Sequence, residues 1–258
     1  MTEHGPEDAV PTDYESIAEQ YRDSKHADWR VHIEIPSFMR LVGDLSGKSV
    51  LDLACGEGFY SRELMRQGAQ RVVGVDSSPA MISLARAAER AEPLGVAYVL
   101  AEAQALELDE RFDLVVAAFL LNYASTAAEL RDMCLAVARH LKPGCRFVTV
   151  NSNPWLGAKQ VDYRRYGFER LVPAGLRNGS PYTFRNYQDD SSFDIRVHYL
   201  DVTTHERAFA AAGLVDVRWV RPEVSARGTA SFGSGYWDTF LRDPPIILIE
   251  ARAGGRAG

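Results

Sequence analysis

Residues 50–61 read Val50-Leu51-Asp52-Leu53-Ala54-Cys55-Gly56-Glu57-Gly58-Phe59-Tyr60-Ser61. This stretch predicts a short buried strand, a turn of small residues and the start of a helix. Gly56 and Gly58 carry no Cβ, so a ligand can approach the backbone closely and φ can be positive. A helix N-terminus also offers N–H groups without intrahelical partners. The stretch therefore predicts a turn that binds a nucleotide-containing ligand.

Strands and helices alternate on the carboxyl side of this turn. We expect strands at 49–54, 71–76, 96–100, 112–118 and 145–150, with helices at 61–67, from Ser78 to Arg90 and after Thr126. This alternation indicates βαβ units with helices on both faces. The predicted fold class is α/β, with a doubly wound, mostly parallel sheet. Two late strands are expected at 215–220 and 246–251.

We expect a single domain, because no linker separates the two halves of the chain. Two prolines and several charges predict a mobile arm over residues 1–12, and glycines predict a frayed tail at 254–258. Thr12-x-x-Glu15 and Thr203-x-x-Glu206 have the spacing of helix capping boxes. Residues 13–253 divide into lid helices at 13–45, a cofactor-binding core at 46–150, a substrate-facing insertion at 151–202, and C-terminal elements at 203–253.

Composition excludes several classes of protein. The 258 residues carry 29 Lys and Arg against 35 Asp and Glu, a formal charge of −6, so no electrostatic footprint for nucleic acid or an anionic membrane is expected. The three cysteines form no Cys-x-x-Cys pair, and the six histidines have no metal-type spacing, so we expect no metal. The polar N-terminus and scattered cysteines predict a cytoplasmic protein.

Two ligand classes use such a turn, and the local charge helps to separate them. A dinucleotide site has a third glycine where Ser61 stands here. Asp52 and Glu57 would repel a pyrophosphate, whereas they would attract a sulfonium and an ammonium group, which favours S-adenosylmethionine over a nicotinamide dinucleotide. Asp76 ends the next strand, where a carboxylate can accept hydrogen bonds from both ribose hydroxyls.

These motifs resemble the class I S-adenosylmethionine-dependent methyltransferases over about Tyr14 to Val150. The resemblance implies seven strands in the order 3-2-1-4-5-7-6, with the last strand antiparallel. A narrower resemblance links Tyr14-x-x-Ile17-Ala18-x-x-Tyr21, Ser180-Pro181-Tyr182-Thr183 and Tyr236-Trp237-x-x-Phe240 to toxoflavin-biosynthesis-type methyltransferases. Those are bacterial enzymes that N-methylate an azapteridine-like heterocycle.

The family resemblance implies a set of cofactor-binding residues. The cofactor is expected to approach the backbone of the turn after the first strand, and its ribose is expected to bind Asp76. Arg30 suits the cofactor carboxylate because a guanidinium group pairs with a carboxylate bidentately. Tyr14 and Tyr21 are equally explained as the buried face of an amphipathic helix, and Met81 as helix core. The full set is Tyr14, Tyr21, Arg30, Ala54, Gly56, Gly58, Asp76, Ser77, Met81, Glu102, Ala103 and Phe119.

Aromatic residues toward the C-terminus predict a substrate pocket, since rings can stack on a flat acceptor. The expected set is Tyr182, Phe184, His198, Tyr236 and Trp237. His198 is either a base or a satisfied strand histidine, and no catalytic residue is assigned.

The predicted function is methyl transfer from S-adenosylmethionine to a nitrogen or oxygen of a small, aromatic or heterocyclic metabolite in bacterial specialised metabolism, with S-adenosylhomocysteine as product. The alternatives are a nicotinamide-dependent oxidoreductase, a methyltransferase acting on RNA or protein, and a cofactor binder without activity. Only a small molecule is expected as partner, and the oligomeric state stays open.

Overall fold

The computed structural model describes residues 12–188 and 191–255. Its central sheet has seven strands in the order β3-β2-β1-β4-β5-β10-β9. Strand β10 runs antiparallel to both of its neighbours, and β1 to β5 pair in parallel. The expected α/β fold class and strand order are therefore confirmed. The strands are β1 (Ser49–Leu53), β2 (Arg71–Asp76), β3 (Ala97–Leu100), β4 (Phe112–Ala118), β5 (Leu141–Ser152), β9 (Leu214–Val220) and β10 (Ile246–Ala253).

Helices cover both faces of this sheet. They are α1 (Tyr14–Asp23), α2 (Ile35–Val42), α3 (Phe59–Arg66), α4 (Pro79–Ala91), α5 (Ala127–His140), α6 (Val202–Ala211), α7 (Ala226–Phe232) and α8 (Asp238–Arg242), with a π-helical turn at Arg30–Glu34. Val50 belongs to the apolar cluster that includes α2 and α3, whereas Leu51 belongs to the cluster that includes α5 and α6. Covered faces explain why β4 is apolar without interruption from Leu114 to Ala118.

Two predicted helix caps are wrong. The side chain of Asp13, not Thr12, accepts from the first turn of α1. Thr12 instead exchanges hydrogen bonds with the backbone of Arg196, at 2.8 Å from the Arg196 nitrogen. Asp201, not Thr203, caps α6 by accepting from Thr204 N at 2.7 Å. In both cases an aspartate near the threonine takes the capping position, for which it is at least as favourable.

A second, three-stranded antiparallel sheet occupies the predicted insertion. Its order is β6 (Phe168–Leu171), β7 (Pro181–Gln188) and β8 (Ser191–His198). Only one strand, at 193–200, is expected there from the sequence. Buried residues of β7 and β8 form a cluster with Tyr21 of α1 and Met81 of α4, so the small sheet lies over the site end of the large one.

Two connections differ from expectation, and most of the predicted arm and tail is not described by the structure. Residues 1–11 of the predicted arm and 256–258 of the predicted tail lie outside the described residues. Strand β5 begins at Leu141 rather than at the predicted 145, so Pro143 and Gly144 lie inside the strand. Helices α7 and α8 occupy the stretch between the two late strands. No helix within the described residues is long and apolar enough to cross a membrane.

Candidate functional site

A cleft of about 480 Å³ opens at the carboxyl ends of β1, β2 and β4. Along the chain, β2 and β3 are added on one side of β1, and β4 then pairs with the other side of β1. Ligands of open α/β sheets bind at such a switch point. Ten of the predicted cofactor residues line the cleft, and they are Tyr14, Tyr21, Ala54, Gly56, Asp76, Ser77, Met81, Glu102, Ala103 and Phe119.

The backbone turns sharply where β1 and β4 reach the cleft. Ala54 has φ +58° and Phe119 has φ +67°, two of the three non-glycine residues with positive φ in the described part of the chain. This conformation costs roughly 1–2 kcal/mol per residue. Backbone bonds to neighbouring strands hold both turns, from Cys55 N to Val75 O at 3.0 Å and from Phe119 N to Val150 O at 2.8 Å. Strain of this kind concentrates at functional sites.

Asp76 joins two loops of the cleft. One carboxylate oxygen accepts from Gly56 N at 2.8 Å, and the other accepts from Ser78 N at 2.9 Å. Burial raises the pKa of Asp76, while these backbone bonds oppose the increase. Each oxygen keeps a further lone pair, so the carboxylate can still accept hydrogen bonds from two ligand hydroxyls.

Asp52 and Glu57 do not line the cleft, which corrects the charge argument made from the sequence. Asp52 is buried behind the turn and accepts a hydrogen bond from Ser61 Oγ at 2.6 Å. Burial raises the pKa of Asp52 to about 7, so its charge near neutral pH is reduced. Glu57 is also buried, and burial raises its pKa. Ser61 therefore stands where a dinucleotide site has its third glycine, and its hydroxyl binds the buried Asp52.

Gly58 also lies outside the cleft, contrary to prediction. It is the N-cap of α3 and has φ +85°. A Cβ at this position would lie 2.8 Å from Tyr98 Cζ. The glycine is therefore required by backbone conformation and by the packing of a neighbouring ring, and not by approach to a ligand.

Helix α1 covers the cleft as a lid. The hydroxyls of Tyr14 and Tyr123 share a hydrogen bond across it. Glu15 Oε1 accepts from Ser78 Oγ at 2.7 Å and from Ala80 N at 3.1 Å, which ties the lid to the start of α4. The tyrosines predicted in α1 thus lie at the cleft. The helix is held by Tyr123 after β4 and by Ser78 and Ala80 at the start of α4.

A second pocket of about 40 Å³ adjoins the cleft, and Tyr21, Phe119 and Tyr123 line both. Arg30 lies here rather than at the cleft. Its Nη1 forms an ion pair with Glu34 Oε2 at 2.6 Å, and its guanidinium carbon lies 4.6 Å from the Trp29 ring centroid. The remaining lining comprises Trp29, Asn122, Ser152, Phe184, Asn186, Ile195, Val197 and Ile246.

The predicted substrate residues separate into three groups. Phe184 lines the second pocket. Tyr182 and His198 line a smaller polar cavity behind it. Tyr236 and Trp237 line neither; the Trp237 indole is fully buried, stacks on Tyr166 at 5.5 Å and donates to Gly228 O at 3.2 Å. These two rings belong to the apolar core, because α7 and α8 fold them against β6 and its preceding turn.

Several site residues were missed in the sequence. Tyr123 and Asn122 follow β4 in a single 3-10 turn, and Ser152 ends β5. Their positions at the carboxyl ends of central strands are the signal that could have identified them. Trp29 carries no such signal, since only packing of the lid brings it to the pocket.

Comparison with known proteins agrees with this geometry. A methyltransferase domain model matches residues 50–144. A ubiquinone biosynthesis O-methyltransferase of Stutzerimonas stutzeri is 31% identical over 172 residues, covering 64% of this chain and 72% of that protein. One from Pseudomonas fluorescens is 30% identical, and the alignment covers 55% of this chain and 62% of that protein. A demethylmenaquinone methyltransferase of Lactococcus lactis is 28% identical, covering 82% and 81%.

Solved structures share the fold at low sequence identity. An S-adenosylmethionine-dependent methyltransferase from Clostridium acetobutylicum superposes with a TM-score of 0.64 and 20% identity, covering 94% of this chain and 99% of that one. One from Mesorhizobium loti gives 0.60 and 22%, covering 88% and 99%. Together with the 31% identical relative, these findings make the assignment: the chain belongs to the S-adenosylmethionine-dependent methyltransferases, and S-adenosylmethionine is its cofactor.

Proposed function

We propose that this enzyme methylates an oxygen or nitrogen of a small aromatic or heterocyclic metabolite. The observation that carries the proposal is the second pocket, which adjoins the cleft and is lined by the rings of Trp29, Phe119 and Phe184. Rings bind flat molecules by stacking and edge contacts. Phe119 lines both spaces, so it stands where the two ligands would meet.

The cleft residues fit an adenosine-containing ligand. The volume of the cleft, about 480 Å³, lies within the ~300–1,000 Å³ typical of small-molecule sites. In this proposal Asp76 binds the ribose hydroxyls, Met81, Glu102 and Ala103 contact the adenine, and Ala54 and Gly56 allow the backbone to approach the amino-acid portion. When bound, the cofactor supplies a methyl group activated by a sulfonium.

The protein's contribution is orientation and exclusion of water. Tyr14 and Tyr123 close the lid over the cleft, and Tyr21 lines both the cleft and the second pocket. Holding two reactants in line supplies effective molarities that reach ~10⁵–10⁸ M in well-oriented systems. No covalent intermediate with the protein is required for such a displacement.

Two observations bear on whether the acceptor atom is oxygen or nitrogen. The relatives named as ubiquinone biosynthesis O-methyltransferases favour an aromatic hydroxyl. The narrower resemblance to toxoflavin-type enzymes favours a heterocyclic nitrogen and a place in specialised metabolism. A pocket of only about 40 Å³ favours a small acceptor over RNA or protein.

The test combines a substrate panel with a pocket-filling variant. The enzyme is incubated with methyl-labelled cofactor and with phenols, catechols and nitrogen heterocycles, and products are read by mass gain. Phe184→Trp should reduce methylation of any accepted compound at least tenfold and leave S-adenosylhomocysteine binding unchanged. Tyr187→Trp, on the same strand but exposed, is the control. Equal activity in both variants would remove the pocket assignment.

A further inference from the structure

Four buried polar atoms without a hydrogen bond of normal geometry belong to residues that line one small cavity behind the second pocket. They are Asn122 Oδ1, Ser152 Oγ, His198 Nδ1 and His205 Nε2, four of ten such atoms in the described ranges. Ser152 Oγ does face the Tyr182 side chain, without closing a hydrogen bond of normal geometry. The cavity measures about 10 Å³. A water molecule needs ~10–15 Å³ and two to four polar partners, so this cavity suits one water.

Both histidines line this cavity, and each has one buried ring nitrogen without a hydrogen bond. His205 Nδ1 donates to Asp201 O at 2.9 Å, which leaves Nε2 as an acceptor. The backbone of Tyr123 favours a proton on the His198 ring, and His198 Nδ1 has no partner, so we expect the proton of the neutral ring on Nε2. Burial lowers the pKa of each ring, so both are neutral at neutral pH and can accept a proton.

The cavity and the second pocket lie next to each other. Asn122 and Ser152 line both spaces. The Ser152 hydroxyl can accept one hydrogen bond while it donates another. His198 is partly exposed, whereas His205 is only 3% exposed, so His198 is the member through which a proton can reach solvent.

We propose that Ser152, one water and His198 relay the proton that an acceptor hydroxyl or N–H loses during methyl transfer; the proposal rests on the function proposed above. The acceptor lone pair forms the bond to the methyl carbon as the carbon–sulfur bond breaks. The electron pair of the broken carbon–sulfur bond stays on sulfur. The acceptor proton passes to Ser152 Oγ, the serine proton passes to the water, and a water proton passes to His198 Nδ1. The resulting imidazolium returns its proton to solvent, so charge and atoms balance.

Other polar groups around His198 tune this relay. Glu129 of α5 stabilises the imidazolium, and Arg196 of β8 opposes it. The facing groups from the packed elements are Glu129, Arg196, Tyr182, Ser152, Asp201, His205 and the Tyr123 carbonyl. Burial remains the largest influence on the ring.

The kinetic test uses two probes that differ in the need for deprotonation. At pH 7.5 catechol is protonated, whereas 4-nitrocatechol is largely ionised. Since proton transfer contributes ~10²–10⁴-fold to rate, His198→Gln should lower turnover of catechol by about 100-fold and of 4-nitrocatechol by less than about threefold. Ser152→Ala should show the same discrimination. His140→Gln is the control, because His140 is buried with Nδ1 bonded to Ala136 O but lies outside the pockets described.

Equal losses with both probes, or no loss with catechol, would overturn the relay. A second measurement does not depend on turnover: ¹⁵N NMR of the histidine rings in the S-adenosylhomocysteine complex should show His198 protonated at Nε2 and not at Nδ1. A proton on His198 Nδ1 would also overturn the relay. If no phenol or heterocycle is methylated, the proposed acceptor class fails instead, and the NMR result still decides the geometry.

Discussion

At the scale of single residues, the most informative side chain is Asp76. Its carboxylate already accepts hydrogen bonds from Gly56 N and Ser78 N, and these bonds orient it toward the cleft. The position at the end of β2 was predictable from the sequence. Its bond from Gly56 N was not predictable, because that depends on how closely β1 and β2 approach, whereas Ser78 is only two residues away in the chain.

Asp76→Ala should remove most of the stabilisation that S-adenosylhomocysteine gives. At 100 times Kd a ligand adds about 2.7 kcal/mol to the unfolding free energy. Two lost hydrogen bonds to a charged group would weaken binding by about 100-fold or more, which leaves about 0.4 kcal/mol at the same concentration. Thermal unfolding with and without the ligand measures this. Exposed Asp109→Ala is the control, and an undiminished shift in Asp76→Ala would refute the ribose assignment.

Gly58 provides a second test at this scale. Alanine at φ +85° is strained by ~1–2 kcal/mol, and its Cβ would also displace the Tyr98 ring. Gly58→Ala should therefore cost about 2 kcal/mol or more in urea unfolding. Gly68→Ala is the matched control, because Gly68 has φ +97° but no atom within 4 Å of the added Cβ. Equal costs would show that Tyr98 packing does not matter.

At the scale of elements, the lid helix α1 depends on contacts with α4 that no local pattern reveals. Its amphipathic face was predictable, since Tyr14, Ile17, Ala18 and Tyr21 recur at helical spacing. The docking was not, because Glu15 lies outside that face and binds residues more than 60 positions away. Arg30 differs, because its ion pair with Glu34 is an i,i+4 contact whose spacing is visible in the sequence.

Glu15→Ala should loosen the lid without unfolding the sheet. Loss of two hydrogen bonds costs about 1 kcal/mol net, so S-adenosylhomocysteine Kd should rise about fivefold. Hydrogen exchange should increase in residues 14–23 and stay unchanged in β1 and β4. Glu19→Ala, an exposed position of the same helix, controls for helix propensity. Matching exchange in both variants would contradict the docking role.

At the scale of the whole molecule, the sheet is anchored at the end opposite the cleft by Asp113. It accepts from Ser49 N at 3.0 Å, Ser49 Oγ at 2.7 Å and Lys142 Nζ at 2.7 Å, which joins β1, β4 and β5. Partial burial opposes ionisation, but these bonds outweigh it and lower the pKa of Asp113 to about 2. A carboxylate with a lowered folded pKa stabilises the fold above its unfolded pKa and loses that contribution as pH falls toward the folded value.

Asp113→Asn should therefore be less stable than the wild type at pH 7 by about 1 kcal/mol, a value discounted for solvent exposure. The difference should shrink as pH falls from about 4 to about 2, because the wild-type carboxylate becomes protonated there. Denaturant unfolding across this range measures it, with Asp109→Asn as the control. A difference that stays constant down to pH 2 would show that charge is not the cause.

The amino-acid sequence by itself determined the large sheet, the order of its βαβ units and the turn after β1. Those features depend on local hydrophobic period, caps and glycines, which neighbouring residues encode. Only the tertiary structure decided which aromatic rings face a ligand: Trp29 lines the second pocket, whereas Trp237 is core. It also placed Asp52 and Glu57 behind the turn rather than in the cleft. The reason is physical, since the direction of a side chain depends on partners distant in the chain, and composition alone does not specify them.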